Sequence, residues 1–507
     1  MGAAAAAAGG GGAPLAPRVL TRAQYFRTLL ATTLGILLEW LDYIVYAQLQ
    51  DVLSKEFFPS DDPTVAALSF WGVFAVGFVS RPAGSILFGH IGDVYGRKPC
   101  LLATVSIMGV ATTLIGCLPS YAQIGVAAPV LLAVLRCVQG LAMGGEFGTA
   151  LVYQVEVAPK KHKGTSGAGG FAASILGIMF GVASVMVIIA ACTPEQLQQW
   201  GWRIPFLLGT LTAGAALLLR LHMEEPPEYE AARAAAARES EAASAAAEAS
   251  AAEAGGGAGA AAAAPARRGA WLRRVAGFSF VQLMRDSWGR VALQFLFEAS
   301  VSVSFWLATA YLPGFFRRAY GMPREMTLGA LLVNLSAMLP AIMLGGWAAD
   351  QPGWPRMGGA LAAYAGIGAM CVPMFLGFRR GWAACWLLQL VFMLLLSLVL
   401  GMLPVTMSAL YPPMQRASGF NFAHNCAMSL LGGLAPTVVT AIGLSSGNTL
   451  TAPGWYMLAN TAVSMAAGIA IAWLVPGTRR AVRHDGGDGG GKGGAAPAAA
   501  GLAVELR

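Results

Sequence analysis

Two carboxylates stand inside an apolar stretch near the start of the chain. Glu39 and Asp42 lie in a run from about Phe26 to Leu49 that is long enough to cross a bilayer. On a helix, Gly35, Glu39, Asp42 and Tyr46 follow an i, i+4, i+7, i+11 spacing and share one face. At bilayer depth each acid costs about 2.5–3.5 kcal/mol unless it meets a partner or a water-filled cavity. A helix that only anchors has no use for that cost, so the pattern points to a proton or substrate path, with a structural ion pair as the competing reading. Arg81 and Arg136 stand in later apolar runs. Counting about 1.5 Å per residue from one membrane face, Glu39 and Arg81 fall roughly 14–18 Å in, and Asp42 and Arg136 roughly 20–24 Å in. We therefore expect two acid–arginine layers around a wet central chamber, Glu39 with Arg81 and Asp42 with Arg136. Protonating an acid would free its arginine for an anionic substrate, and a substrate anion competing for the arginine would raise the acid's proton affinity.

On this reading Glu39 and Asp42 couple protons, and Arg81, Arg136, Tyr43 and Tyr46 contact substrate, with packing as the rival role for the tyrosines and for Trp40. Glu146, Glu298, His424 and Asn425 are secondary candidates. Glu298 shares a helical face with Ser302, and His424 carries the side chain whose ordinary pKa lies nearest neutrality. No Ser/His/Asp arrangement or metal-ligand cluster falls at membrane depth, so no catalytic residue and no metal are expected. No GxxxxGK[ST] loop is present, which argues against ATP as energy source, and no cofactor is implied.

The elements that position these groups follow from composition. The 507 residues are 56% hydrophobic and 11% charged, with a mean hydropathy of +0.61. Soluble domains carry about 25% charged residues, so an ordinary globular protein is excluded. Membrane barrels are excluded too, because their strands would read as short alternating segments. The seven Cys (Cys100, Cys117, Cys137, Cys192, Cys371, Cys385, Cys426) lie mostly in apolar runs without CxxC spacing and read as small buried hydrophobes. The opening residues are uncharged and of low complexity, with no signal peptide expected.

Spans are expected at 27–50, 65–90, 99–118, 124–150, 165–191 and 203–222, and again at 288–315, 326–348, 357–378, 382–410, 417–443 and 453–475. This divides the chain into a disordered N-terminus (1–26), a first six-helix bundle (27–222), an Ala/Gly-rich linker (223–287), a second bundle (288–476) and a disordered tail (477–507). Within the linker, the Ala/Glu part suits a surface helix. Arg97, Lys98, Lys160, Lys161, Lys163, Arg356 and Arg416 gather on the side of the N-terminus, which orients both termini to the cytosol. Arg317, Arg318, Arg379 and Arg380 break that pattern locally. Trp200, Trp202, Trp382, Trp455 and Tyr456, near span ends, read as interfacial anchors.

Between the second and third spans, Gly89-His90-Ile91-Gly92-Asp93-Val94-Tyr95-Gly96-Arg97-Lys98 resembles the G-x-x-x-D-x-x-G-R-[KR] loop of the major facilitator superfamily. The resemblance implies a gating role for Gly89, Asp93, Gly96, Arg97 and Lys98. In the fourth span Arg136, Gly140 and Gly144 resemble that superfamily's R-x-x-x-G-x-x-x-G helix, whose glycines form a smooth packing face. Leu38-Glu39-Trp40-Leu41-Asp42-Tyr43, Val79-Ser80-Arg81-Pro82-Ala83-Gly84, Gly144-Gly145-Glu146 and Gly201-Trp202-Arg203-Ile204-Pro205-Phe206 are similar to the metabolite:proton symporter family. Tyr311-Leu312-Pro313 and Gly419, Asn425, Gly432, Gly433 and Pro436 extend the likeness into the second half.

The resemblance implies an all-α membrane protein of the major facilitator fold, with 12 transmembrane helices in two pseudo-symmetric six-helix bundles and alternating access between them. It also implies proton symport of a small carboxylate-bearing metabolite, with a di- or tricarboxylate as the first reading. A zwitterionic osmolyte such as proline or betaine is the alternative, and a non-transporting membrane sensor is a third. The expected partners are substrate, protons and the lipid bilayer, with no nucleic acid; a monomer in the plasma membrane is expected. The chain departs from the family at Ile36, where Asn is usual, and at Gly164–Gly170, where aromatic and Gln residues are usual. Glu298 and His424 stand where uncharged residues are usual. The second-half loop, Gly345-Gly346-Trp347-Ala348-Ala349-Asp350 followed by Arg356, reads as a degraded copy.

Overall fold

The computed structural model describes residues 21–253 and 279–475. Among them, twelve helices are long and apolar enough to cross a membrane. They are α1 (Arg22–Gln48), α2 (Gly72–Val94), α3 (Arg97–Cys117), α4 (Ala127–Val157), α5 (Lys160–Ala191), α6 (Arg203–Leu221), α7 (Phe280–Tyr320), α8 (Glu325–Asp350), α9 (Arg356–Arg380), α10 (Trp382–Ser408), α11 (Pro413–Ser446) and α12 (Ala452–Leu474). No strand occurs among the described residues. Backbone groups have no water to bond in hydrocarbon, and a helix satisfies them within one segment.

The packing repeats between halves. In the first half α1 lies on α5 and α6, α2 on α4, and α3 on α4 and α6. In the second, α7 lies on α11 and α12, α8 on α10, and α9 on α10 and α12. The α2–α4 contact is close because Gly140 and Gly144 face the backbone of α2. A Cβ at Gly140 would overlap the carbonyl of Gly77, and one at Gly144 the carbonyl of Arg81. The halves meet along a seam where α2 and α4 touch α11, and α5 touches α8 and α10.

Several expected boundaries shift. Thr21 caps α1 with a capping box, so residues from Arg22 assigned to a disordered N-terminus are helical. The second half begins earlier than 288, at a helix starting with Ser279. The Ala/Glu segment is a helix, Pro227–Glu253. Its approach is anchored rather than free, since Met223 and Tyr229 are buried. The Gly-rich part of the linker, the first twenty residues and the 477–507 tail lie outside the described residues. Trp200, Trp382 and Trp455 are exposed. Trp202 is buried, because its ring packs edge-on to Phe57 and beneath Arg203 instead of reaching the surface.

Candidate functional site

Helix α1 carries Glu39 and Asp42 on its inward face, and α2 and α4 bring Arg81 and Arg136 against them. The two layers differ in how completely they are bonded. Arg136 Nη1 lies 2.9 Å from Asp42 Oδ2, and Thr112 Oγ1 of α3 donates to Oδ1 at 3.0 Å. Gln139 Nε2 donates to Thr112 Oγ1 at 2.8 Å, which completes a chain of donors behind the acid. The Arg136 guanidinium lies 3.7 Å above the centre of the Tyr46 ring, and that ring stacks on Phe70 at 4.5 Å.

The outer pair is loose. Arg81 Nη2 approaches Glu39 Oε1 only to 3.8 Å, and neither Glu39 oxygen accepts a hydrogen bond although the residue is 1% exposed. Arg81 lies 5.0 Å from the ring centres of Tyr43 and Phe78. Phe78 meets Trp306 edge-on at 5.1 Å, while Trp40 packs on Phe305 and Trp306 at 5.6 and 6.3 Å. Both halves thus wall the pair with rings. Trp40 Nε1, Tyr43 OH and Trp306 Nε1 are buried without a hydrogen-bond partner. An unmade buried hydrogen bond costs about 1–3 kcal/mol, so such a cluster marks a place where a ligand or water supplies the missing partners.

The wet chamber expected around these four residues is closed here. None of Glu39, Asp42, Arg81 and Arg136 exceeds 3% exposure, because the Phe305 and Trp306 rings of the second half seat against Trp40, Tyr43 and Phe78. All four face the helix bundle and not the lipid-facing surface.

The secondary candidates fall in three places. Glu146 is fully engaged by Arg220, with Nη1 at 2.9 Å from Oε2 and Nη2 on Oε1, and it also accepts from Thr104. Arg220 further donates to the carbonyl of Leu101 at 2.6 Å, so the pair ties α3, α4 and α6 together. Gly35 is required there: a Cβ would enter the space held by the Arg220 guanidinium and the Glu146 carboxylate. Glu298 and His424 pair within the second half at 2.6 Å. Asn425 Nδ2 donates to the carbonyl of Gly144 at 2.9 Å, across the seam.

The seam is knit at the basic face, where α1 begins. Asp93 accepts from the backbone N–H of Ala417 and Ser418 at 3.2 and 3.0 Å, capping a helix of the other half. Arg97 bonds Asp93 at 2.7 Å and the carbonyls of Gly92 and Pro413 at 2.6 Å each, and it pairs with Glu156 at 3.3 Å. The second-half loop does the same work, contrary to its degraded reading. Asp350 accepts from the N–H of Gly164 and Thr165 at 2.6 and 2.7 Å, capping α5 of the first half. Arg356 Nε donates to the carbonyl of Ala349 at 2.8 Å, as Arg97 does to Gly92. The cap needs one acid at the helix end, not the whole loop sequence.

Sequence reasoning missed Arg220, Glu156 and the anchored stretch after α6. Glu225 accepts from the N–H of Arg97 and Lys98 at 2.9 Å each, capping α3. Glu228 pairs with Lys163 of the first half and, at 3.1 Å, with Arg416 of the second. Tyr229 donates to the carbonyl of Asp93 at 3.0 Å and lies 4.7 Å from Arg97. Burial works to raise the Glu225 carboxyl and prevails over its backbone donors. Burial also works against ionised Glu228, but Lys163 and Arg416 outweigh it and hold that carboxyl below its ordinary value.

Comparison with known proteins agrees with this architecture. Residues 28–481 match the family described as sugar (and other) transporter. The chain is 26% identical over 451 residues to the proline/betaine transporter of Salmonella typhimurium, covering 88% of this chain and 83% of that one. It is 42% identical over 212 residues to the shikimate transporter of Escherichia coli, covering 42% of this chain and 48% of that one. The structure of the proton:xylose symporter XylE bound to 6-bromo-6-deoxy-D-glucose superposes with a TM-score of 0.69 at 16% identity, covering 90% of this chain and 97% of that one. With twelve membrane helices in two matching halves and a family match along nearly the whole chain, the protein belongs to the sugar (and other) transporter family of the major facilitator superfamily.

Proposed function

We propose that the protein is a proton-coupled symporter of a small zwitterionic metabolite of the proline or betaine kind. The observation that carries this reading is the loose Glu39–Arg81 pair, sealed between aromatic rings of both halves. It offers one guanidinium for a carboxylate, one carboxylate for a cationic end, and ring faces suited to an ammonium or alkylated amine. A di- or tricarboxylate needs a second available cation. Arg220 is held by Glu146 and Arg136 touches Asp42 at 2.9 Å, although its Nε and Nη2 lack partners; of the three arginines paired with Glu39, Asp42 and Glu146, Arg81 stands farthest from its acid, at 3.8 Å. The proline/betaine relatives favour the same class. The shikimate relative, matched over less than half of the chain, supports a second reading in which the substrate carries a carboxylate but no cation.

In the proposed cycle a substrate carboxylate displaces Glu39 from Arg81, and Glu39 turns to the cationic end of the substrate. Protonation of Asp42 frees Arg136 from the one carboxylate it pairs with among the described residues, so binding of proton and release of the guanidinium are one event. The basic face is cytosolic in this reading, and the plasma membrane is the expected site. Asp93 with Arg97 and Asp350 with Arg356 act as paired gate caps that hold the cytosolic side closed until the halves rock apart; Gly89, Gly96 and Lys98 shape the first cap.

Reconstitution into liposomes tests the proposal. An imposed pH gradient, acid outside, should drive uptake of labelled proline or glycine betaine, and the unlabelled compound should compete. Uptake of shikimate alone favours the second reading, uptake of citrate or a dicarboxylate restores the di- or tricarboxylate class, and no uptake of any probe sinks the symporter.

A further inference from the structure

We propose that Glu298 and His424 form a second proton-binding site, carried by the second half. It holds a proton while the basic-face seam is closed and releases it when α11 leaves α4; this rests on the symporter reading above. His424 Nδ1 lies 2.6 Å from Glu298 Oε2, and Gln294 Nε2 donates to Oε1 at 2.7 Å. Both residues are buried, so the pair is insulated in this conformation.

The position of His424 carries the inference. Its ring lies nearly parallel to Phe147 of α4 at 5.1 Å and meets Phe171 of α5 at 6.3 Å, so two first-half rings cover it. Phe420 flanks it on its own helix at 5.9 Å. Asn421 and Asn425, on either side in sequence, carry seam bonds to Thr149 and Gly144 at 2.8 and 2.9 Å. The imidazole therefore sits on the surface that separates when the seam opens, while Glu298 stays inside its own half. Phe147 also touches Trp40 at 6.0 Å, which links the imidazole through two rings to the wall of the Glu39–Arg81 site.

A protonated imidazole gains from a buried carboxylate and from phenyl faces. Opening the seam removes both first-half rings and admits water, so imidazolium and carboxylate each hydrate and their attraction weakens. The proton balance is simple: a Glu298 carboxylate with a His424 imidazolium becomes the carboxylate, a neutral imidazole and a proton delivered to the cytosol. The other titratable or charged groups acting here are Tyr364 of α9, Tyr411 between α10 and α11, and Arg290 of α7. On the first-half side, Glu146 is turned to Arg220. A bond needed only for packing would be made as well by two amides, and it would not have to lie on the moving surface.

Two measurements decide the proposal in the full-length chain. The first is ¹⁵N NMR in nanodiscs, with His90→Gln, His162→Gln, His222→Gln and His484→Gln leaving His424 as the sole histidine. At neutral pH both of its ring nitrogens should be protonated in the parent, and Glu298→Gln should leave one of them without a proton. The second is the proton-to-substrate ratio in liposomes, read from the membrane voltage at which net flux stops. His424→Gln and Glu298→Gln should each lower that ratio. A neutral imidazole in the parent, or an unchanged ratio in both variants, overturns the proposal. Should the parent transport no probe, the symporter reading fails and the NMR measurement alone decides the pair.

Discussion

The two halves repeat one helix arrangement but bury different chemistry. Beyond the basic-face cluster of Asp93, Arg97 and Glu156, the described residues of the first half bury three carboxylate–guanidinium pairs, Glu39–Arg81, Asp42–Arg136 and Glu146–Arg220. Among the described residues of the second half the buried acid partner is an imidazole, Glu298 with His424. A guanidinium keeps its charge at any physiological pH, so a first-half pair changes only when its acid takes a proton. An imidazole pair can change at the base as well. Pseudo-symmetry of the backbone therefore does not carry symmetry of function. On the proposed reading the first half holds fixed positive charge for a substrate anion to use, and the second holds a base that can be switched.

The largest expected effect comes from Asp42→Asn. Removing one partner of a buried ion pair costs about 3–5 kcal/mol, because the other charge stays buried and unpaired. Proton-driven uptake should fall by roughly a hundredfold or more, while substrate exchange without a gradient persists. Intact proton-driven uptake in that variant would remove Asp42 from the cycle. Arg81→Gln should act on binding: losing a charge-assisted hydrogen bond of about 1.5–3 kcal/mol raises KM by about ten- to a hundredfold. An unchanged KM would break the contrast between the loose Glu39–Arg81 pair and the closer Asp42–Arg136 one.

A third test addresses the gate caps. Asp93→Ala and Asp350→Ala each remove an acid that caps a helix of the opposite half, and losing such a cap costs about 0.5–2 kcal/mol. Both should raise labelling of a cysteine placed on the cytosolic side of the seam, each by about two- to thirtyfold. A change with Asp93→Ala alone would reinstate the second loop as degraded.

The twelve spans were legible because hydropathy and length decide them, and the two acid–arginine layers because depth along a helix is arithmetic. The Arg220–Glu146 brace was hidden by position: Arg220 stands at the end of α6, where a basic residue ordinarily marks the membrane surface. Its signal was Gly35, whose missing side chain leaves the space the guanidinium occupies. Asp350 was hidden because loop likeness was weighed over the one group that caps α5. The seal over Glu39 was illegible for another reason. Phe305 and Trp306 arrive from a helix more than 250 residues away, and no pattern along the chain encodes which state of the seam prevails.

The smallest effect is expected where the two halves are joined by exposed charge alone. Glu228 bridges Lys163 and Arg416, so it clasps one half to the other from a half-exposed position. Exposed pairs contribute only about 0.2–1 kcal/mol, so Glu228→Gln should change transport by less than about threefold at neutral pH. Acid gives the sharper test. The carboxyl is held below its ordinary value, so the clasp is complete above the usual carboxylate range and is lost as pH falls through the depressed value. Seam opening in the parent should therefore rise as pH falls below the usual carboxylate range and approach that of Glu228→Gln, whose own opening should show a flatter pH response there. Equal pH dependence in the two proteins would mean that the clasp adds nothing to the other contacts between the halves, those of Asp93, Asp350 and the Arg416–Glu156 pair among them.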